Sequence, residues 1–376
     1  MLDVVHSCGG GVIAQTVKVK LRAALPSILS GIQIAFPAAV LGAILGEFAG
    51  GTSGLGVFMM NSLAQFNPDR TWGAGAVATL VGTTGFVLLG LVQRKLGKGQ
   101  PLQLRSSMVS SDLPGSPATR LVRFALWLGS LVIVVGGWWL ALKVLNVSSY
   151  FARSPADVWR FLFVDDGEHG AARSALFHAL AHTLPAALIG AVLGLAVAYL
   201  AAVCFLWSKS LQSLLMTFAM VLQAVPLQAM TPLIIVVLGR GMVASVVVAV
   251  LVTFFPSIVL MAAGLRDVPS TARDVFHYLS ASELTQVRKL RTPAALPKIF
   301  AAARLGLPGA LAGVLVAEYL ATGQGVGFIL SNSAAMSQYA ELWTAVVIIT
   351  LVSVLMYAAV SRAERWVNRV YGGSMR

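Results

Sequence analysis

The sequence predicts an all-α polytopic membrane protein with about eight transmembrane helices. Of its 376 residues, 57% are hydrophobic and 11% are charged, and the mean hydropathy is +0.83, which lies outside the range of soluble domains. Runs of about 20 apolar residues recur, the length that a helix needs to cross the hydrocarbon core of a bilayer. A polar stretch occurs twice in the sequence, which predicts that a larger unit is duplicated.

The duplicated stretch lies at residues 3–26 and again at residues 274–297. Its second copy reads D-V-F-H-Y-L-S-A-S-E-L-T-Q-V-R-K-L-R-T-P-A-A-L-P. The constant offset of 271 positions persists beyond the stretch without a gap. Matching pairs are Pro37 and Pro308, Gly42 and Gly313, Glu47 and Glu318, Gly54 and Gly325, Gly56 and Gly327, Asn61 and Asn332, and Trp72 and Trp343. A register held across two apolar runs indicates duplication rather than a chance motif.

The apolar runs set the predicted membrane helices. The first part of the chain holds two, at residues 28–48 and 72–92. The second part holds six, at residues 121–142, 176–203, 212–238, 242–264, 300–320 and 342–361. Residues 94–120 are rich in glycine, proline, serine and basic residues without apolar periodicity, which predicts a linker between the two parts.

Basic residues set the predicted orientation. If both polar stretches are cytoplasmic, most of the 27 lysines and arginines lie on the inner side, as the positive-inside rule favours. The acidic segment with Asp157, Asp165, Asp166 and Glu168 then lies outside, as do the glycine-rich turns. The net charge of +13 is therefore explained by cytoplasmic loops rather than by a nucleic-acid partner.

Three motifs in the second part carry a resemblance to a known family. S-P-A-D-V-W at 154–159, P-A-A-L-P at 293–297 and A-E-Y-L-A-T-G-Q-G-V-G-F at 317–328 occur in this order, and G-E-F-A-G-G-T-S-G-L-G-V at 46–57 repeats the last motif. Together with a loop that begins with an acidic residue and closes with Leu-Pro, similar to the EAA loop, they resemble permeases of binding-protein-dependent ABC importers. The nitrate/sulfonate/taurine-type branch is the most similar.

The resemblance implies a tandem fusion of permease units. Residues 1–93 are identified as the C-terminal part of a first unit, with an EAA-like loop and two membrane helices. Residues 94–120 are the cytoplasmic linker, and residues 121–376 form a complete six-helix unit. Because the first unit starts at Met1, inside its own loop, we expect an N-terminally truncated form of a chain with about twelve helices.

The resemblance also implies the function and partners. We expect a permease subunit of an ABC importer in the bacterial cytoplasmic membrane, not an enzyme and without a cofactor. No G-x-x-x-x-G-K-[ST] occurs, so ATP hydrolysis falls to a separate ATPase dimer on the cytoplasmic side. An extracytoplasmic binding protein delivers the solute, and a second permease chain is an open alternative for the missing helices. The implied solutes are sulfonates or nitrate, with thiamine-precursor and glycine betaine uptake left open.

The two polar loops are the expected ATPase-coupling sites. Asp274 is expected to cap a short helix, and Phe276 and Tyr278 to offer an aromatic surface. Pro293 and Pro297 are expected to set the turn into the next membrane helix. The complete set is Asp3, His6, Gly9, Leu25, Pro26, Asp274, Phe276, Tyr278, Ser280, Pro293, Leu296 and Pro297.

Two departures from the family pattern lie within these loops. The family glycine is Gly9 in the first loop but Ser280 in the second, and the family proline is Pro293 in the second loop but Arg22 in the first.

Two glutamates near the outer ends of equivalent helices are candidate gate residues, because carboxylates in membrane segments are functional suspects by default. The outer gate or turn set is Glu47, Gly54, Gly56, Glu318, Gly325 and Gly327. Glu318 is also expected to accept hydrogen bonds from amides of the turn that follows, so a structural role stays open. The turn lacks the Lys-Ser/Thr of a phosphate loop and is interpreted as a turn that needs positive φ.

Four other polar residues each have two possible roles. Gln223 and Gln228 interrupt an apolar run, either to hydrogen-bond between helices or to line the solute path, and the path is preferred. His178 and His182 have an i,i+4 spacing, but no third ligand is evident, so no metal site is predicted and packing is favoured.

A secondary transporter or channel is the alternative class, and it would need no ATPase. That class is disfavoured because its ion-coupling carboxylates would have to be the two outer glutamates, which lie near helix ends.

Overall fold

The computed structural model describes residues 21–65, 67–96, 117–146, 148–164, 167, 169–208 and 231–371, and every regular element in these ranges is a helix. The α-helices are α1 (Leu21–Gly50), α2 (Leu55–Ala64), α3 (Pro68–Leu96), α4 (Pro117–Val144), α5 (Pro155–Phe163), α6 (Gly170–Trp207), α7 (Thr231–Leu238), α8 (Met242–Arg266), α9 (Ser270–Tyr278), α10 (Glu283–Gln286), α11 (Thr292–Ala317), α12 (Gly325–Ala335) and α13 (Tyr339–Tyr371). Two π-helical segments, Val287–Arg291 and Glu318–Thr322, flank α11. The all-α prediction is confirmed.

Six of the described helical segments are long and apolar enough to cross a membrane. They are Gly31–Phe48, Asp69–Gln93, Gly170–Trp207, Met242–Arg266, Glu283–Leu320 and Tyr339–Arg369. The predicted helix at 121–142 is present as α4, whose described apolar stretch is Gly129–Val144. Apart from α7, the predicted helix at 212–238 lies outside the described residues. The prediction of a polytopic membrane protein is confirmed.

The repeat in the sequence is also a repeat in the order of elements. In each copy a long helix, a glycine-rich turn, a short helix and a second long helix follow one another, as α1 to α3 and again as α11 to α13. Helices α3 and α13 begin at Pro68 and Tyr339, which are separated by the 271-residue offset of the sequence repeat. The duplicated sequence therefore gives the same local structure twice.

The described residues fall into two compact units. In the first, which includes the described residues within 21–59 and 73–134, α1 and α3 pack closely at glycines. A methyl group added at Gly85 would overlap the ring of Phe36. Gln33 Nε2 donates a hydrogen bond to the Phe86 carbonyl at 3.2 Å. Small residues that bring helix backbones together are the usual means of packing helices within a membrane.

The second unit is built around α6, α8 and α11. Their interface is lined by small residues, including the buried Ala187, Ala191, Ala249 and Ala310. A methyl group added at Gly194 would come within 2.8 Å of the Thr253 Cβ. Because these residues keep the three backbones close, the outer ends of α6 and α11 are also held together, and a polar cluster lies there.

Candidate functional site

The polar segment of the second repeat, residues 267–297, is mostly helical. Helix α9 starts after Pro269, and its last turn closes with the Leu279 amide donating to the Val275 carbonyl at 3.1 Å. Asp274 is the fifth residue of α9 and is exposed, so the prediction that it caps this helix is wrong. The physical reason is that Pro269, whose φ of −52° is already near the helical value, stands at the N-cap, so the helix begins at Ser270, five residues before the start that a cap at Asp274 would give.

Helix α9 is amphipathic and has no fully buried residue. Tyr278 is 90% exposed, and Val275 and Leu279 are exposed as well. Phe276 is half-buried, so of the two predicted aromatic residues only Tyr278 is fully presented to the surroundings. Arg273 is also exposed on this helix. An aromatic and aliphatic surface next to a cation is the composition that anchors protein–protein contacts.

Ser280 occupies the turn directly after α9. Its φ is +51°, in the left-handed region that glycine adopts most readily. The turn is closed by the Ala281 amide, which donates to the Phe276 carbonyl at 3.0 Å, and by Gln286 Nε2, which donates to the Ala281 carbonyl at 3.2 Å. The family glycine that Ser280 replaces is therefore at a position where the backbone favours glycine.

The two prolines of this segment do not form a turn. The chain is helical without interruption from Glu283 to Thr322. Pro293 is the second residue of α11 and Pro297 lies inside it, so the prediction that they set a turn into the membrane helix is wrong. Leu296 is half-buried within α11. Proline has no amide hydrogen to donate, and Pro293 lies two residues after the π-helical segment Val287–Arg291, where the regular α-helical pattern of hydrogen bonds is already interrupted. A contact of 2.6 Å between the Thr292 and Tyr199 hydroxyl oxygens also holds the start of α11.

The first loop is only partly described. Asp3, His6 and Gly9 lie outside the described residues. Leu25 and Pro26 lie inside α1, and Leu25 is exposed. The closing Leu-Pro pair is therefore helical in both repeats. Gln223 and Gln228, the predicted path-lining residues, also lie outside the described part of the chain.

The carboxylate of Glu318 is fully buried in the polar cluster at the end of α11. Its Oε2 accepts a hydrogen bond from the Gly327 amide at 3.0 Å and lies 2.8 Å from Thr183 Oγ1 of α6. The Val326 amide donates to Thr183 Oγ1 at 2.9 Å. The bond from the following turn is the one the sequence predicts. Thr183 therefore connects α6 to the residue before the turn, Glu318, and to the residue after it, Val326.

The Thr183 hydroxyl has a choice of acceptors. It lies 3.0 Å from the Ala179 carbonyl in its own helix as well as beside Glu318. A hydroxyl has one proton, so Thr183 donates to one of these two acceptors at a time. Of the two, Glu318 Oε2 is the nearer, at 2.8 Å.

Glycine is required beside Glu318 for steric reasons. Gly325 has φ of +87°, and a methyl group added there would overlap the Glu318 carboxylate. A methyl group at Gly327 would overlap the Leu315 carbonyl oxygen. The interpretation of G-Q-G-V-G as a turn that needs positive φ is confirmed, and close approach to the carboxylate is a second reason for the glycines.

The first repeat has the same turn. Glu47 Oε2 accepts a hydrogen bond from the Gly56 amide at 2.6 Å. Gly54 has φ of +123°, and a methyl group there would overlap the Glu47 carboxylate. Glu47 itself is half-buried. The repeated glutamate therefore holds the repeated glycine turn in both copies.

Sequence reasoning missed two residues of the cluster. Thr183 lies 135 positions from Glu318, and no spacing in the sequence relates the two residues. His182 was considered only as a partner of His178, but its Nδ1 lies 3.6 Å from Glu318 Oε1. The available signal is that His182 and Thr183 are adjacent polar residues within the predicted membrane helix 176–203.

A helical membrane protein built on an internal repeat belongs to a class in which transporters are common. The family of binding-protein-dependent transport system inner membrane components matches the chain over residues 7–99 and 190–371. These segments make up most of the sequence, and the chain belongs to this family.

Curated relatives are consistent with this assignment. The chain is 26% identical over 241 residues to a probable ABC transporter permease protein of Haemophilus influenzae, covering 64% of this chain and 94% of the relative. It is 32% identical over 189 residues to a putative aliphatic sulfonates transport permease protein of Bacillus subtilis, covering 49% and 67%. It is 22% identical over 264 residues to the taurine transport system permease protein of Escherichia coli, covering 68% and 92%.

The protein is therefore a permease subunit of an ABC importer. It is a multi-pass protein of the bacterial inner membrane and not an enzyme, because ATP hydrolysis in these systems belongs to separate ATPase subunits. Permeases of this family work with an ATPase and a solute-binding protein.

Proposed function

We propose that the ATPase docks on the polar segment of the second repeat, with α9 as the contact helix, and on the equivalent loop of the first repeat. The observation that carries this proposal is the exposed face of α9, in which Tyr278 is 90% exposed. Isolated aromatic side chains of this kind anchor protein contacts when a partner groove covers them. The exposed Arg273, Arg288 and Lys289 support a cytoplasmic position for the segment, since cytoplasmic loops carry the excess of basic residues.

Helix α11 is the element through which docking acts on the outer turn. The uninterrupted helical stretch Glu283–Leu320 has 38 residues, which at 1.5 Å per residue spans about 57 Å. A bilayer with its headgroups is about 40–45 Å thick. A rod of this length reaches from the cytoplasmic segment to Glu318, so a displacement of α9 is transmitted to the contact between Glu318 and Thr183.

The two-unit organisation of the chain is part of the proposal. Residues 1–93 belong to one permease unit, residues 94–120 form a cytoplasmic linker, and residues 121–376 belong to a second unit. The match of the family to two separate segments, 7–99 and 190–371, supports this division. The repeated order of helices α1 to α3 and α11 to α13 supports it independently.

The proposed solute is a small organic anion of the sulfonate type. Relatives named for aliphatic sulfonates and for taurine support this class. A second candidate is a heterocyclic vitamin or vitamin precursor, since other relatives are named for riboflavin and formylaminopyrimidine. Competition by taurine, an alkanesulfonate, riboflavin and formylaminopyrimidine for binding to the cognate solute-binding protein separates the two classes.

The docking proposal is tested with Tyr278→Ala in the full chain co-expressed with its ATPase. Loss of a central aromatic anchor costs about 1–2 kcal/mol or more, so we expect recovery of the ATPase with the permease to fall about tenfold. Tyr278→Phe keeps the ring and is the rescue variant. Tyr357→Ala removes an exposed tyrosine of α13 and is the matched control. Normal ATPase recovery and normal solute uptake with Tyr278→Ala would overturn the assignment of α9.

A further inference from the structure

Helix α5 has two apolar faces that point in different directions. Val158 and Phe161 are 5% and 2% exposed and pack into the protein. Trp159 and Phe163, one turn apart, are each 63% exposed, and their ring centroids lie 4.3 Å apart. An ordinary surface helix has one apolar stripe and a polar opposite face. The second stripe of α5 therefore needs an apolar neighbour of its own.

The position of α5 relates it to the ends of two membrane helices. Leu162 packs into the cluster that contains Leu176 of α6 and Ala345 and Ile348 of α13. These residues lie within the first ten positions of the segments Gly170–Trp207 and Tyr339–Arg369 that are long enough to cross a membrane. The inner face of α5 therefore packs beside the first residues of the two membrane-spanning helices, α6 and α13.

Aromatic residues with polar atoms are concentrated at the same level. Trp138 stacks on Trp343, with ring centroids 5.6 Å apart, and Trp343 Nε1 donates to the Phe151 carbonyl at 2.9 Å. Tyr150 and Tyr339 contact one another edge to face at 5.5 Å. Trp and Tyr are enriched where membrane proteins cross the headgroup layer, so this group marks the boundary of the membrane.

One cation lies on the outer side of α5, and a second lies over an aromatic ring of α4. Arg160 is exposed and follows Trp159 on the outer side of α5. Lys143 Nζ lies 4.1 Å from the centroid of the Trp139 ring. Long basic side chains at a membrane boundary lay their stems along apolar surface and place the charge among lipid phosphates. Apolar rings with an adjacent cation fit a phospholipid better than they fit water.

We propose that α5 is an interfacial helix that lies in the headgroup layer, with Trp159 and Phe163 inserted among the lipid acyl chains and Arg160 at the lipid phosphates. Helices of this type bind in the plane of the membrane through a buried apolar face and basic residues. The start of α5 is preset for this role by a capping box, in which Asp157 Oδ2 accepts from the Ser154 amide at 2.9 Å. Lipid contact at α5 then holds the ends of α6 and α13 at a fixed depth.

The test places a nitroxide at residue 159 or 163 of the full chain. Cys8 and Cys204, the two cysteines of the sequence, are replaced by serine, and Trp159→Cys and Phe163→Cys are labelled separately. Each protein is reconstituted in vesicles of phosphatidylethanolamine and phosphatidylglycerol. Ser270→Cys, exposed at the start of α9, is the aqueous reference, and Val197→Cys, exposed along α6, is the lipid reference.

We expect both α5 labels to collide several-fold more with oxygen than with a water-soluble nickel chelate, relative to the Ser270→Cys reference. Preferential access of the chelate would overturn the proposal, because the stripe would then face water. Low access to both quenchers, or protection that appears only with the solute-binding protein, would assign the stripe to a protein contact instead. Trp159→Phe supplies a variant without a cysteine, and it is expected to remove part of the tryptophan quenching by brominated phospholipids.

Discussion

The two glycine turns share one motif but differ in how much of the structure depends on them. In each, a glutamate carboxylate accepts the amide hydrogen of a glycine nine positions later, Gly56 for Glu47 and Gly327 for Glu318. Glu47 is half-buried, and the amide of Gly56 is the contact that the described residues show for it. Glu318 is fully buried and also contacts Thr183 of α6.

The comparison of the two turns distinguishes the hydrogen bond within the motif from the contacts that neighbouring helices add. The turn forms in both copies, and both include the bond from the glycine amide to the glutamate nine positions earlier. In the second copy, Thr183 also bonds the Val326 amide, which turns a local turn into a link between α6 and α11. On the proposed mechanism this link is the outer contact that must respond when α11 moves.

The largest expected effect is that of Glu318→Leu compared with Glu47→Leu. Leucine at 318 leaves the buried Gly327 amide unpaired and removes the bond from Thr183, a loss of about 3–5 kcal/mol in unfolding free energy. Leucine at 47 removes one bond at a half-buried position, for which we expect about 1–2 kcal/mol. Denaturant unfolding of the purified chain in detergent measures both. Equal losses would show that the two turns contribute equally to stability.

The next effect tests the feature that the turns share. Gly325→Ala and Gly54→Ala each place a methyl group against the glutamate carboxylate at positive φ. Backbone strain and overlap together are expected to cost about 2–4 kcal/mol in both repeats. Gly323→Ala is the matched control, because its φ is +69° but the space beside it is open.

The control separates strain from overlap. Gly323→Ala is expected to cost about 1–2 kcal/mol, the backbone term alone. If Gly325→Ala in the same unfolding assay costs no more than Gly323→Ala, the carboxylate does not restrict the turn and its position beside Gly325 is not the reason for glycine.

Much of the glycine turn was predictable from the sequence, and the coupling segment was less so. Glu318 and Gly327 are close along the chain and repeated at a fixed offset, so their contact follows from local geometry. Thr183 comes from another helix, and no periodicity or spacing in the sequence encodes which residue of α6 faces Glu318. Tertiary packing of small residues along α6, α8 and α11 decides that choice.

The helical structure of the coupling segment differs from the prediction for another reason. The basic run Val287–Arg291 has the polarity of a loop. Arg and Lys are nevertheless good helix formers, and the run is helical where it leads into α11. The polarity of this run therefore predicts the end of the apolar segment, but not the position at which the helix begins. The sequence predicts that Tyr278 lies on the surface, and the residue is exposed. This prediction rests on the polar residues that surround Tyr278 in the segment.

A smaller effect isolates the contribution of α6. Thr183→Val keeps the side-chain shape but removes the hydroxyl that contacts Glu318 and the Val326 amide, which we expect to cost about 1–3 kcal/mol in unfolding free energy. Thr183→Ser keeps the hydroxyl and is the control. The double variant of Thr183→Val with Glu318→Leu is expected to be less destabilised than the sum of the single variants. Full additivity would contradict a shared network.

The smallest expected effect concerns the charge of Glu318 rather than its hydrogen bonds. In Glu318→Gln, one oxygen at the position of Oε2 still accepts from the Gly327 amide and from Thr183. The new amide group then lies at the position of Oε1, near His182 Nδ1 at 3.6 Å. Because an acceptor remains for both donors, the variant is expected to lose less than about 1 kcal/mol. Glu47→Gln is the matched variant and is expected to be equally mild. A loss as large as that of Glu318→Leu would show that the second turn needs a negative charge, which the first turn does not.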